Sequence, residues 1–437
     1  MIARLSAPGH IAAIRFGLGP RPDQPPPAEP EAWLLAQLRS FPPAAGPDLA
    51  ACAAVYYRPL DGNEEAQNAL RVALLRQESL AWAERVLTTE APFAERLVAF
   101  WANHFTVSRR RGGIAPFIGH YEREAIRPHI LGRFEDLLLA AIRHPAMLLY
   151  LDNTNSVGPN SPAGRNRRRG LNENLARELL ELHTLTPRAG YGEEDVRALA
   201  ALLSGWSIGR GAAFQEPDGF FFRPGAHEPG RKILLGRSFP EGEEGGIEAL
   251  RFLARHPATL GQLAFRLARH FAGDDPPPAL IRRLEHSLLE TQGDLGEAAR
   301  LLITAPEAWQ PPLSKFRSPL DYVIAVLRAL GMGAEAAQPL LAGSFFLDQF
   351  LWNAPAPNGW PDTAAEWVAP EQLMRRIDWA HAWAGRAAAA GRVQAQALAE
   401  LTLGPLLPAE TATAIRRAGS QREALAILFG CPEFHRR

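Results

Sequence analysis

Residues 172–183 read Asn-Glu-Asn-Leu-Ala-Arg-Glu-Leu-Leu-Glu-Leu-His, placing two amides, three carboxylates, a guanidinium and an imidazole on one expected helix. At 100° per residue, Glu173, Asn174, Arg177, Glu178 and Glu181 share an arc of roughly 140°. Facing an enclosed cleft, Arg177 would hold its neighbours ionised, and Glu178 or Glu181 would serve as a base or grip a divalent metal. On an open surface the same i,i+4 spacing is a row of ion pairs, each worth a few tenths of a kcal/mol. The candidate catalytic groups here are Glu173, Arg177, Glu178 and Glu181, with the amides of Asn172 and Asn174 as substrate contacts. His183 falls on the opposite, apolar side and reads as a hydrogen-bonded core residue. With no second histidine four residues away, a zincin helix is excluded.

A site on this helix needs partners from elsewhere. His104 ends an amphipathic segment, Phe100-Trp-Ala-Asn-His-Phe105, whose buried stripe is Leu97, Val98, Trp101 and Phe105, and Asn103 precedes it. His227 lies in a Gly-punctuated turn with Lys232, one of only two lysines in the chain. Such loops commonly carry binding groups. His104 and His227 are therefore candidate catalytic groups, and Asn103, Lys232 and the nearby Trp206 candidate substrate contacts. Arg109, Arg110 and Arg111, with Arg165, Arg167, Arg168 and Arg169, read either as a lip for anionic groups or as solvated loop charge. Asn358-Gly-Trp-Pro-Asp362 reads as a turn that anchors an indole by packing. There is no Walker loop, no dinucleotide fingerprint and no G-x-S-x-G elbow.

The elements that must position these groups are helical. Apolar residues recur at helical spacing over 28–40, 64–88, 92–106, 116–131, 133–143, 171–185, 193–204, 246–255, 257–271, 279–291, 294–304, 317–330 and 370–390, with more helix after 408. The exception is 206–240, rich in Gly, Pro and aromatic residues, where Phe214, Phe220 to Phe222 and Ile233 to Leu235 read as strands of a hairpin-like insert. The expected fold is mainly α, a multi-helical single unit with this small β element. Pro25 to Pro27 separate an N-terminal segment, 1–24, from a helical domain over 25–437. Three amphipathic helices closed by Pro145, Pro306 and Pro432 echo one another, but at irregular spacing, so common helix-stop chemistry explains them better than a repeat array.

The 437 residues suffice for a sizeable core, and 47 basic against 47 acidic residues leave no net charge to attract nucleic acid or an acidic membrane. Cys52 and Cys431 have neither disulfide-framework nor metal-site spacing. The N-terminus lacks the uninterrupted apolar run of a signal peptide, and no stretch approaches the ~18 apolar residues of a spanning helix. The expectation is a cytoplasmic protein with no membrane segment.

Several of these motifs, taken in order, resemble the bacterial family DUF1800. They are the 100–108 segment, His144-Pro-Ala-Met with Asp152-Asn153, the 172–185 helix, Gly190-Tyr191, Ser204-Gly-Trp206, His227 with Gly230 and Lys232, His256-Pro-Ala-Thr259, Lys315 with Pro319, Asn358-Gly-Trp-Pro361 and Cys431-Pro-Glu-Phe434. The resemblance runs from Ala13 to the end of the sequence and implies one integrated helical unit. It departs from the family pattern at Glu228, where Asp is usual, and at Leu175, where Tyr is common. It also implies a co-encoded partner resembling the alkaline-phosphatase and sulfatase superfamily, and many family members look exported. Two functions are expected from the residues and the resemblance together. One is an enzyme with a carboxylate and histidine cleft doing hydrolase-type chemistry, a divalent metal being its candidate cofactor. The other is a non-catalytic scaffold or maturation partner of the co-encoded sulfatase-like protein.

Overall fold

The computed structural model describes residues 7–57, 64–167, 170–209, 219–310, 312–391 and 393–437. They form a single multi-helical unit around one continuous apolar core. Helix boundaries follow proline chemistry. Pro92–His104, Pro257–Ala272, Pro278–Glu290, Pro319–Ala329 and Pro370–Ala390 each start on a proline, whose missing N–H is no loss in the first turn. The three echoing helices end at Arg143, Thr304 and Gly430, two residues before Pro145, Pro306 and Pro432. In both His-Pro-Ala sequences the histidine caps the next helix, His144 Nδ1 accepting from the Ala146 N–H and His256 Nδ1 from that of Ala258.

The expected helix over 116–131 is instead a mixed segment: a 3-10 stretch Gly112–Phe117, a short α turn, a π turn Tyr121–Ile126 and a 3-10 turn Arg127–His129. Pro116 and Pro128, each lacking a donor, fall inside it. Leu49–Tyr57 and Ala337–Phe346 are helices that periodicity misses, because apolar residues surround them and leave no polar face to mark a stripe. Among the described residues the 206–240 insert holds two antiparallel ribbons in place of one hairpin. Trp206–Ile208 pairs with Phe220–Phe222, and Lys232–Leu234 with Arg237–Phe239. The second turns through Leu235 and Gly236, both at positive φ. Phe214 lies outside the described residues.

The described part of 1–24 does not stand apart from the helical unit. Phe16 is fully buried, with ring centroids 4.9 Å from Trp309, 5.8 Å from Phe271 and 5.9 Å from Phe93. The buried Arg15 donates to the carbonyls of Ala308 and Gln310. This segment thereby ties helices distant in sequence into one core. Among the described residues no helix is long and apolar enough to cross a membrane.

Candidate functional site

A cavity of about 550 Å³ opens between the Pro92–His104, Pro257–Ala272 and Pro319–Ala329 helices and the 349–367 segment. That size suits a small molecule. The wall is built from motif to motif. Asn103, one residue before the end of its helix, donates Nδ2–H to the Trp360 carbonyl at 2.9 Å and accepts the Trp360 N–H on Oδ1 at 2.8 Å. Gly359 lies at φ +79, where a Cβ would stand 2.5 Å from the Asn103 carbonyl, so this close docking needs glycine. The docked turn lines the cavity with Trp360 and delivers Asp362.

Asp362 is the hinge of the polar wall. Its Oδ2 lies 3.2 Å from His270 Nδ1, and its Oδ1 is 3.2 Å from Lys315 Nζ, which also binds Asp274 at 2.9 Å. Burial alone would raise the Asp362 carboxyl, but His270, Lys315 and Arg437 hold it below the usual carboxylate range. Burial lowers His270 to about 4 against the pull of Asp362, so the imidazole is neutral at pH 7. Its side chain keeps 13% exposure toward the cavity.

Arg437 closes this wall from the other side. It exchanges backbone bonds with Lys315, at 2.8 and 3.2 Å, donates to the His270 carbonyl at 2.9 Å, and places Nη2 3.3 Å from His270 Nε2. Its Nε lies 3.1 Å from Asp321, which Arg96 also holds at 3.2 Å. The two guanidiniums keep Asp321 ionised although burial opposes it. Breaking such a buried pair would cost about 3 kcal/mol or more, so these groups fix the wall's geometry. Beside them, Glu122 accepts from the Trp352 indole at 2.9 Å, with Trp352 held at φ +52, a strained backbone for a bulky residue.

His104 does line the cavity, but both ring nitrogens are engaged. Nδ1 accepts from Arg266 at 2.6 Å and Nε2 donates to the His183 carbonyl at 3.1 Å, while His183 Nδ1 donates back to the His104 carbonyl at 2.9 Å. Burial, then Arg266, drives His104 well below the ordinary histidine range and His183 to about 3. The reading of His183 as a hydrogen-bonded core residue matches this geometry.

The other residues singled out in the sequence lie elsewhere. Glu173 and Arg177 pair at 3.1 Å on the surface, and Arg177 binds Glu193 at 2.8 Å through both terminal nitrogens. The expected Arg177–Glu181 pair is absent because the helix turns to π winding at Leu179–His183, and Glu181 ends exposed. Glu178 is half-buried, its carboxyl raised by burial and by Glu181. Asn172 turns the chain into the helix, its Oδ1 accepting the Asn174 N–H at 3.0 Å, and Asn174 Nδ2 reaches the Leu151 carbonyl at 3.4 Å.

His227 is held by structural bonds: Nδ1 donates to the Ser204 carbonyl at 2.8 Å, and Nε2 accepts from the Gly242 N–H at 2.9 Å and from Lys232 at 3.2 Å. Lys232 is buried and also donates to the Glu228 carbonyl. Trp206 is fully enclosed against Gly246, where a Cβ would stand 2.6 Å from its ring, so the indole is core and not a contact for substrate. The expected convergence of Glu178, His104 and His227 does not form: only His104 reaches the cavity.

The arginine loops do not assemble into a lip among the described residues. Arg111 pairs with Asp152 and Arg110 with the Asn353 carbonyl, while Arg165 is exposed. Arg168, Arg169 and the Arg167 side chain lie outside the described residues. Among the described residues no three His, Cys, Asp or Glu side chains come together as a metal site. Sequence reasoning missed His270, Asp362, Asp321, Arg266, Arg269 and Arg437. The available signal was Lys315, the second of only two lysines, and the carboxylate closing the Asn358-Gly-Trp-Pro-Asp362 turn.

The Asn103 to Trp360 docking and the Lys315 to Asp362 pair join three motifs far apart in the chain, as one shared site requires. No curated protein and no solved structure matches the chain. Residues 11–436 match the family described as protein of unknown function, DUF1800, and the chain belongs to that family.

Proposed function

We propose that the protein is an enzyme using general acid–base chemistry in the 550 Å³ cavity, with His270 as the proton-transfer group and Asp362 as the residue that orients it. The observation that carries this reading is the His270–Asp362 pair, a neutral imidazole hydrogen-bonded to a carboxylate on the wall of a cavity of small-molecule size. A carboxylate on Nδ1 sets the tautomer with the proton there and, against the opposing charge of Arg437 3.3 Å from Nε2, stabilises the imidazolium that forms when Nε2 takes a proton. Lys315 and Arg437 position this pair from behind. The chemistry is of the hydrolase type, in which a base activates water.

A panel of chromogenic esters, phosphate esters and glycosides tests the proposal. Positioned proton transfer contributes about 10²–10⁴-fold, so His270→Gln should reduce kcat by at least 100-fold with circular dichroism unchanged. Asp362→Asn should lower kcat more than it raises KM. A wild-type protein that turns over no member of the panel, or a His270→Gln variant of full activity, would count against the reading.

The scaffold reading has one observation in its favour. Phe345, Phe346, Met374 and Ile377 are large apolar side chains that remain 44–63% exposed on the Ala337–Phe346 and Pro370–Ala390 helices. A co-encoded sulfatase-like protein that co-purifies with the wild type and is lost on Phe345→Ser with Met374→Ser would support it.

A further inference from the structure

We infer that the cavity holds an organic anion, its charged oxygens on Arg266 and Arg269 and its apolar body against the aromatic wall. The inference rests on the cavity being the active site and names the class of substrate it takes. Arg266, Arg269 and His270 stand three and four residues apart on one helix, so they share a face, and all three line the cavity.

The charges around the cavity do not cancel at these two arginines. Glu95 and Glu122 are matched by Arg85 and Arg127 behind the wall, Asp321 by Arg96 and Arg437, and Asp362 together with Asp274 by Lys315, while Glu366, exposed at the cavity edge, pairs with neither arginine. Neither Arg266 nor Arg269 forms an ion pair with any carboxylate among the described residues. Arg266 spends only Nη1 on protein, on His104 Nδ1 and the Leu182 carbonyl at 3.2 Å. The Arg269 guanidinium lies 4.4 Å from the Phe265 ring, and its buried Nε has no hydrogen-bond partner. Asp362 is near enough to act on Arg266, but its oxygens are already engaged by Lys315 and by the His270 Nδ1–H.

Two guanidiniums with free N–H groups on one wall are the geometry that binds a carboxylate, phosphate or sulfate oxygen set. Phe100, Phe350, Trp352 and Trp360 supply the apolar surface of the same cavity. An anion seated at Arg266 and Arg269 would lie within one helical turn of His270, which fits a substrate whose reacting bond is next to its charged group.

Isothermal titration of the purified chain with phenyl phosphate, benzoate and inorganic phosphate tests this. Phenyl phosphate or benzoate should bind, and inorganic phosphate, lacking the apolar body, should bind more weakly. Phenyl phosphate against benzoate identifies the kind of oxyanion. Arg269→Gln and Arg266→Gln should each weaken binding by about ten-fold or more, since each removes charge-assisted hydrogen bonds. His270→Gln should bind within about three-fold of wild type. If Arg266→Gln fails to fold, Arg269→Gln against the charge-retaining Arg269→Lys decides the matter.

Absence of heat with all three probes, or affinity unchanged in the arginine variants, overturns the inference. Wild-type affinity in a His270→Gln variant that retains full turnover would instead refute the role of His270 and leave the anion site standing.

Discussion

Gly359→Ala tests the docking that builds the cavity, and its effect can be worked from two numbers. At φ +79 an alanine carries roughly 1–2 kcal/mol of left-handed strain. The new Cβ would also meet the Asn103 carbonyl at 2.5 Å, Asn103 Oδ1 at 2.6 Å and Thr106 Oγ1 at 2.8 Å, distances that real Cβ atoms do not adopt. The turn must lift away, and the two Asn103 to Trp360 bonds, each worth about 1 kcal/mol, are then lost or stretched. The total is about 3–4 kcal/mol. Gly391 is the internal control: it has φ +64 but nothing within 4 Å of a Cβ, so Gly391→Ala carries only the backbone strain. Unfolding entropy of about 2.1 cal/mol/K per residue implies that 1 kcal/mol shifts the midpoint of a chain this long by about 1 °C. Differential scanning calorimetry should therefore show Gly359→Ala melting about 2 °C or more below Gly391→Ala. Equal shifts would refute the close approach.

Three further outcomes are expected. Asn103→Ala removes both bonds to Trp360, so hydrogen exchange over residues 356–363 should accelerate while the Pro278–Glu290 helix stays protected; unchanged exchange in that segment would contradict the docking. Burial lowers His104, His120, His144, His183, His270 and His435, with His270 and His120 at about 4 and His183 and His435 at about 3. The unfolded chain then binds more protons than the native one at pH 5, so stability falls as pH drops through the unfolded histidine range near 6.5 toward 4, and a melting temperature flat from pH 7 to 5 would contradict this. Arg437→Ala strips one of two cations from Asp321 and the guanidinium contacts from His270, and should lower the melting temperature by about 3 °C, against no change if Arg437 is peripheral.

How much was legible in the sequence follows from what each signal measures. Helical periodicity and proline punctuation located Glu64–Thr88, Phe134–Arg143 and Pro370–Ala390, because one apolar face and a local stop are properties of neighbouring residues. The densest polar helix was a poor guide to the site for the same reason. A wheel registers which side chains share a face but not what that face meets, and here Glu173 and Arg177 meet solvent and Glu193. The π turn at Leu179–His183 then removed Glu181 from the arc. The cavity wall comes from residues 92–104, 266–270, 315–321, 358–362 and 437, whose meeting depends on long-range packing that no local pattern records. His104 was found because it closes an aromatic stripe. His270 sits in an ordinary amphipathic helix and gave no such mark.

The most direct test of the central claim compares two variants in one kinetic assay on any substrate the wild type turns over. The account predicts that His270→Gln lowers kcat by at least 100-fold while Arg177→Ala, on the exposed ion-paired surface, stays within about two-fold of wild type. Activity abolished by Arg177→Ala and retained by His270→Gln would contradict it.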